Sequence, residues 1–328
     1  MNRHGPPIIG CSAPAEKLRG EVEQIACTDL TVMIRGEKGT GKDVVAREIH
    51  RRSNRAAGPF VRVNCASVPD ELAESELFGC EKGALTGAES RPGKFEQANG
   101  GTIFLDEVGE LSMKIQPKLL HVTETLAVDR IGGRKPIPVD FRLIVATNRN
   151  LEEMVRQGKF RDDLYDRLNV VSICVPPLRA RMEDIPLLVD YFISDCAGEA
   201  RRMVTGAAPQ VLDLFQQYSW PGNIRELRNI VKRCVFTGRT ESIRQEDLSF
   251  DFAQRLASPP VNLGNHDEQL RELSRQLVAG ALKRCHDNKS KAADLLGVTR
   301  NKFYRLLKLH GLDAESPDNG HGESDWID

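Results

Sequence analysis

The sequence predicts an α/β fold, a parallel sheet sandwiched by helices, followed by a helical lid segment and a small all-α module. Three observations carry this expectation. A glycine-rich turn, Gly36-Glu37-Lys38-Gly39-Thr40-Gly41-Lys42-Asp43, joins the apolar stretch 30–35 to an amphipathic helix. A second apolar stretch, 102–106, runs into the adjacent acids Asp106 and Glu107. Strand-length apolar runs alternate with helical periodicity before a long helical region begins, which is the pattern of a sheet covered by helices on both faces.

Taken in order, residues 13–27 form a first helix with Leu18, Val22 and Ile25 on one face, after Pro6-Pro7-Ile8-Ile9-Gly10, a loop placed to cover a purine. In the glycine turn, Gly36, Gly39 and Gly41 let main-chain N–H groups converge on anionic oxygens at the positive end of the next helix. Lys42 adds a mobile charge for the β- and γ-phosphates. By itself the turn is also open to a plainer account as a strand-to-helix connector, because the last position of the nucleotide pattern calls for Ser or Thr and here is Asp43. The two acids weigh against the plainer account. Asp106 can hold Mg²⁺, directly or through water, and Glu107 can orient and deprotonate an attacking water. Without a cation, two acids ending a buried strand are costly. Together the motifs predict ATP or GTP binding.

Residues 60–64 and 141–146 supply two more strands. The segment 76–88, with three glycines and a run of small residues, reads as an exposed loop, and its residues alone do not separate a functional loop from a connector. Paired glycines and two prolines make 131–140 a hairpin or loop before the next strand. Residues 178–250 are helical, with breaks at Pro186, Pro209 and Gly222, and Ser258-Pro-Pro-Val-Asn-Leu-Gly-Asn265 reads as a linker.

At 328 residues with 40% apolar side chains the chain is long enough for two or three buried cores. Its net charge of −1 hides a polarised carboxyl end: residues 281–310 hold eight Lys/Arg against two Asp, and the last eighteen residues hold six acids and no Lys or Arg. That is a nucleic-acid footprint, although charge runs also serve as solvated faces. The eight cysteines are scattered without a C-x-x-C pair, which predicts reduced thiols in the cytoplasm. No signal segment or membrane-spanning run is visible.

Six motifs, in order and spacing, resemble the AAA+ domain of sigma-54-dependent transcription activators, the NtrC-like enhancer-binding proteins. They are Gly36 to Asp43, Glu76-Leu-Phe-Gly79, Gly83-Ala84-Leu85-Thr86-Gly87-Ala88, Gly100 to Glu107, Phe160-Arg-Asp-Asp-Leu-Tyr-Asp-Arg-Leu168 and Trp220-Pro-Gly-Asn-Ile-Arg-Glu-Leu227. The resemblance runs from about Ile8 to the 240s. It makes Asp43 expected, since an acid normally follows the phosphate-loop lysine in that family. It implies that Asn64 sits opposite Glu107 and switches with nucleotide state, that Thr147 and Asn148 sense the γ-phosphate, and that Arg225 reaches the nucleotide from the lid. It also implies that Arg161 and Arg167 act as arginine fingers in a neighbouring subunit's site; without the family, pairing with Asp162, Asp163 or Asp166 is the simpler account.

Beyond the linker, residues 267–286 form a helix with Leu270, Leu273, Leu277 and Ala281 on one face. A short helix follows at 289–296, then a turn at Gly297-Val298, then Thr299 as the N-cap of a helix over 300–308. This is helix-turn-helix spacing with Leu296, Val298, Phe303 and Leu306 as core, and Arg300, Asn301, Lys302 and Arg305 set for bases and phosphates. It resembles the Fis-like DNA-binding domain that closes many of these activators.

The expected organisation is an AAA+ α/β subdomain over 1–175, a lid over 176–250, a linker over 251–266, a helix-turn-helix domain over 267–312 and an acidic tail over 313–328. No receiver or ligand-sensing domain precedes the ATPase domain in this expectation. The resemblance implies a cytoplasmic ATPase with ATP and Mg²⁺ as ligands, a homo-oligomeric ring of hexamer type, and upstream double-stranded DNA and sigma-54 RNA polymerase holoenzyme as partners. One departure stands out: the sigma-contacting loop of the family has an aromatic where this chain has Leu85, which keeps apolar area and loses the flat ring. The alternative is therefore a DNA-binding AAA+ regulator that does not activate sigma-54. A general AAA+ remodeller of another protein is disfavoured by the basic helix-turn-helix.

Overall fold

The computed structural model describes residues 7–83, 90–197, 200, 204–238, 240–249, 252, 274–275, 278–283, 285 and 288–310. The chain divides into two compact units, 1–258 and 259–328.

The first unit is built on five parallel strands: β1 (Val32–Arg35), β2 (Phe60–Asn64), β3 (Gly101–Asp106), β4 (Phe141–Thr147) and β5 (Val171–Cys174), in the spatial order β2-β3-β4-β1-β5. Every residue of β3 and β4 is buried, as expected of central strands covered on both sides. The side chains alternate between two cores. Val32, Ile34, Phe104, Ile144, Ala146 and Ile173 pack under helices α1 (Ala13–Ala26) and α2 (Lys42–Arg51), whereas Met33, Ile103, Leu105, Leu143 and Val145 face the opposite layer. Burying each of these side chains except the small Ala146 stabilises by about 1.5–3 kcal/mol. The expected strands and first helix are all present. The edge strand β5 was not anticipated, because its four residues between a helix and Pro176-Pro177 carry no alternation long enough to register.

Short ladders complete this subdomain. Gly79–Cys80 pairs antiparallel with Arg91–Pro92, and Ala127–Val128 with Ile137–Pro138, so the glycine- and proline-rich insertion is a hairpin. The lid packs α3 (Ile185–Ala197), α4 (Pro209–Gln217) and α5 (Asn223–Thr237) around Trp220, whose ring meets Phe215 edge-on at 5.4 Å and whose Nε1 donates to the Phe215 carbonyl at 2.7 Å. Phe252, expected in the linker, is buried against the same rings. The other residues of the expected linker 251–266 and the acidic tail lie outside the described residues.

In the second unit, residues 278–283, α6 (Lys289–Leu295) and α7 (Arg300–Leu309) enclose Val278, Ala281, Ala292, Ala293, Phe303 and Leu307. Gly297 turns the chain at φ 65°, and the Thr299 carbonyl accepts from the Phe303 N–H at 2.9 Å. Leu296, Val298 and Leu306 are only partly buried, and Leu307 takes the central place expected of Leu306. Of the apolar face expected for the first helix, Ala281 is buried; Leu270, Leu273 and Leu277 lie outside the described residues.

All eight cysteines are free thiols. Burial pushes Cys65 up to about 12 and Cys234 up to about 11, so both are packing residues and not nucleophiles.

Gly101 opens β3 against Pro59 so tightly that a Cβ would lie 2.0 Å from the Pro59 carbonyl oxygen. Gly101→Ala should therefore lower the unfolding free energy in urea by about 3 kcal/mol. A change below about 0.5 kcal/mol, the level of a neutral surface substitution, would contradict this packing.

Candidate functional site

The phosphate-type loop leaves β1 and enters α2 through Gly39 at φ 83° and Gly41 at φ 94°, left-handed conformations that glycine adopts without penalty. Lys42 is buried beneath it. Its Nζ donates to the carbonyls of Gly36 at 2.9 Å and Glu37 at 3.2 Å and lies 3.6 Å from Glu107 Oε1. Glu107 follows the last residue of β3 with φ 57°, a strained setting for a non-glycine residue that turns its carboxylate out of the strand line. The Asn148 N–H holds its Oε2 at 3.1 Å. Asp106 ends the strand, and its Oδ2 accepts from Arg62 Nη2 at 2.7 Å; Arg62 Nη1 stands 3.8 Å from Asp43. A cavity of about 370 Å³ opens over these groups, with Arg225 on its rim and an apolar wall that includes Ile8, Ile9, Leu188 and Phe192.

The lid grips the loop through a residue that sequence reasoning passed over. Asn223 is fully buried at φ 52°, and all three hydrogen bonds of its side chain are made inside the protein. Its Oδ1 accepts from the Leu178 N–H at 2.8 Å, while its Nδ2 donates to the Lys38 carbonyl and to Glu37 Oε2, each at 3.1 Å. Glu37 is also clasped by Arg179 through two hydrogen bonds, of 2.7 and 2.5 Å. Arg179 holds the Glu37 carboxyl below its ordinary range, against the opposing effect of burial and with help from Asn223. The Arg225 N–H donates to the Gly39 carbonyl at 3.2 Å, and the buried Arg181 donates to the Thr40 carbonyl at 3.2 Å. A Cβ on Gly39 would lie 2.3 Å from the Gly222 carbonyl oxygen, so the two backbones touch. The amino-terminal strap is anchored to the same subdomain. Asp184, buried at the start of the lid, accepts from the N–H groups of Cys11 and Ser12 at 2.7 and 2.8 Å, which sets Ile8 and Ile9 in the cavity wall.

The other expected site residues are distributed as follows. Asn64 pairs in register with Asp106, and its Oδ1 accepts from the Ala66 N–H at 3.1 Å; Glu107 is held by Asn148 and Lys42 instead. Thr147 is buried at the end of β4, and its hydroxyl accepts from the Arg149 N–H at 3.0 Å. Arg161 and Arg167 are exposed around the helix Asp162–Leu168 and do not line the cavity. Arg161 pairs with Asp163 at 2.7 Å, and Arg167 donates to the Thr123 carbonyl. Gly83 is present at φ 82° with open space beside it, while Ala84, Leu85, Thr86, Gly87 and Ala88 lie outside the described residues. In the second unit Thr299, Arg300, Lys302 and Arg305 are exposed along one helix, whose second residue is Asn301.

Arg130 is a further residue the sequence did not single out. From the hairpin it donates to Glu96 at 2.9 and 2.6 Å and to Glu81 at 2.9 Å, and Glu81 also accepts from Ser90 at 3.1 Å. Burial raises the Glu96 carboxyl, but Arg130 and the Gly93 N–H more than offset it and leave it below its ordinary value. Since Glu81 precedes the 83–88 segment and Ser90 follows it, Arg130 gathers both ends of that loop.

A hard divalent cation fits the acids here. Among the described residues no group of three or more His, Cys, Asp or Glu could hold a metal alone. Mg²⁺ commonly takes one or two carboxylates and completes its shell with phosphate oxygens and water, and Asp106 beside a phosphate loop is that donor set.

Comparison with known proteins agrees with this geometry. The sigma-54 interaction domain family matches residues 8–174, the AAA+ ATPase lid domain 179–262, and the bacterial regulatory protein, Fis family, 269–309. The chain belongs to the sigma-54-dependent transcriptional regulators. It is 42% identical over 300 residues to the regulatory protein AtoC of Escherichia coli strain K12, covering 89% of this chain and 65% of that one. To the transcriptional regulatory protein ZraR of the same strain it is 45% identical over 305 residues, covering 92% and 68%. The chain thus spans about two thirds of the length of these curated relatives. The crystal structure of NtrX from Brucella abortus in complex with ATP superposes with a TM-score of 0.69 at 36% identity, over 94% of this chain and 70% of that one. Among the described residues no helix is long and apolar enough to cross a membrane.

If Arg130 gathers the loop ends, Arg130→Met should raise backbone hydrogen exchange in 79–83 and 90–92 by about tenfold or more and leave exchange in α2 unchanged. Equal rates in both proteins would contradict the clamp.

Proposed function

We propose that the chain is the ATP-hydrolysing and DNA-binding part of a sigma-54 activator, which assembles as a homo-oligomeric ring, with a hexamer as the expected form, and remodels sigma-54 RNA polymerase holoenzyme at promoters in the cytoplasm. The observation that carries the reading is the division of charges around the cavity. Lys42, Asp106, Glu107 and Arg225 meet there within one chain, while Arg161 and Arg167, on which transition-state charge stabilisation would rest, lie outside it. Arg62, Arg181, Arg225 and Arg228 line the cavity from the same chain, and in this reading a neighbour adds the two further cations, Arg161 and Arg167, that meet the transition-state charge.

In this reading Lys42 and the amides of Gly36 to Gly41 bind the phosphates, with Asp43 at the start of α2 beside them. Asp106 and the nucleotide hold Mg²⁺, which supplies charge neutralisation on the phosphates. Glu107, already fixed by the Asn148 N–H, orients a water and takes its proton, and Asn64, at the adjacent strand end, is assigned the exchange with that contact. Thr147 and Asn148 are assigned the sensing of the γ-phosphate. The segment Gly83 to Ala88 engages the sigma factor, and Thr299, Arg300, Asn301, Lys302 and Arg305 address upstream double-stranded DNA through the major groove. The division of labour proposed here is an AAA+ α/β subdomain over 1–175, a lid over 176–250 and a helix-turn-helix domain over 267–312.

The reading is tested by open-complex formation at a sigma-54 promoter with hydrolysable ATP, using the natural chain beside Leu85→Phe. Opening by the natural chain supports it; ATP turnover without opening, or opening by the variant alone, favours the regulator that does not activate sigma-54. Two further outcomes are expected. ATP turnover per subunit should rise with protein concentration, and Glu107→Gln should lower it by about 10²-fold or more with nucleotide affinity retained. Turnover per subunit that is flat on dilution would contradict the shared site.

A further inference from the structure

The Asp106 carboxylate, which the proposed function assigns to Mg²⁺, already has a cation. Arg62 reaches it from β2, two residues before Asn64 in the register, with Nη2 2.7 Å from Asp106 Oδ2. The same guanidinium stands 3.8 Å from Asp43, the acid that follows the phosphate-loop lysine. Asp106 is largely buried, with its side chain 12% exposed, whereas that of Arg62 is 37% exposed and borders the cavity. A carboxylate so enclosed needs a counter-charge, and here a side chain on a long flexible stem supplies it from the solvent side. Lys42 is engaged elsewhere, by the Gly36 and Glu37 carbonyls and by Glu107, so Arg62 is the cation directly on Asp106 among the described residues.

We propose that Arg62 is a displaceable counter-ion to Asp106 that competes with Mg²⁺ for the carboxylate and supports nucleotide binding when the metal is scarce. The inference rests on the nucleotide reading of the cavity. Its chemistry is exchange without bond making: a monovalent guanidinium, held by one short hydrogen bond, gives way to a divalent ion that arrives with the nucleotide's phosphates. The freed guanidinium remains beside Asp43 and the cavity, where it can meet phosphate oxygens or return to Asp43. Arg62 is thus a positioning residue that sets how steeply nucleotide binding depends on Mg²⁺. It does not act on the reacting atoms.

The test is equilibrium binding of a fluorescent ATP analogue, with excess chelator and with saturating Mg²⁺, for the natural chain, Arg62→Gln and Arg62→Lys. The readout is the ratio of the two dissociation constants. For Arg62→Gln the ratio should rise by about fivefold or more, since the metal-free complex loses a cation and the metal complex loses a competitor. The Mg²⁺ concentration giving half-maximal binding should fall in parallel. Arg62→Lys, which keeps the charge, should stay near the natural ratio. A purely structural role would weaken both complexes alike and leave the ratio unchanged, and that result overturns the proposal. Absence of nucleotide binding by the natural chain under both conditions would overturn the nucleotide reading itself, and this proposal with it.

Discussion

The hold of the lid on the phosphate-type loop is the constraint on which the rest of the site depends. Asn223 has a left-handed backbone and no exposure, and it joins three segments that are far apart in sequence: the loop at Glu37 and Lys38, the start of the lid at Leu178, and its own helix α5. A buried amide with every polar atom satisfied is worth more to specificity than its net bond energy suggests, since loss of one partner leaves the others desolvated and unmet. Glu37 extends the link to Arg179. Its carboxyl lies below the ordinary carboxylate value, so this stabilisation is present above that value and is lost only as pH falls through the depressed one. At neutral pH the tie is therefore fully charged.

From that tie the geometry follows in both directions. The loop cannot change shape without moving Gly222 and Arg225, because their backbones touch Gly39. The lid in turn fixes the amino-terminal strap through Asp184, so one body supplies the phosphate cradle, the apolar wall and a cationic rim. The sheet contributes the other half by ordinary α/β logic: carboxyl ends of parallel strands converge on one edge, and β3 and β4 bring Asp106, Glu107 and Thr147 there. Left-handed Glu107 and Trp220 mark where backbone strain is held by dense surroundings.

Much of this was legible in the sequence, and for identifiable reasons. The strands 60–64, 102–106 and 141–146 announced themselves as apolar runs bounded by glycine, asparagine or acids, and the phosphate-type turn by glycines at fixed spacing. The pieces that stayed hidden are short or relational. β5 has four residues and, among the described residues, pairs with β1 alone. Arg62, Arg130 and Arg179 are ordinary arginines in one dimension, and their roles exist only because Asp106, Glu96 and Glu37 are brought to them by pairing across strands, a hairpin and the lid. Asn223 sat inside a motif noticed for Arg225, yet its left-handed φ and buried bonds belong to tertiary structure. Leu306 and Leu307 were exchanged as core residues because adjacent leucines satisfy the same helical pattern within one step.

The central claim, that lid and loop act as one unit through the Glu37–Asn223 contact, is tested most directly by a double-mutant cycle on unfolding free energy with Glu37→Gln, Asn223→Ala and the pair. The account predicts a coupling of about 1–2 kcal/mol, with the double variant little worse than the more damaging single one. Strictly additive losses, with coupling below about 0.3 kcal/mol, would mean that the two residues stabilise their own segments independently and would contradict the claim.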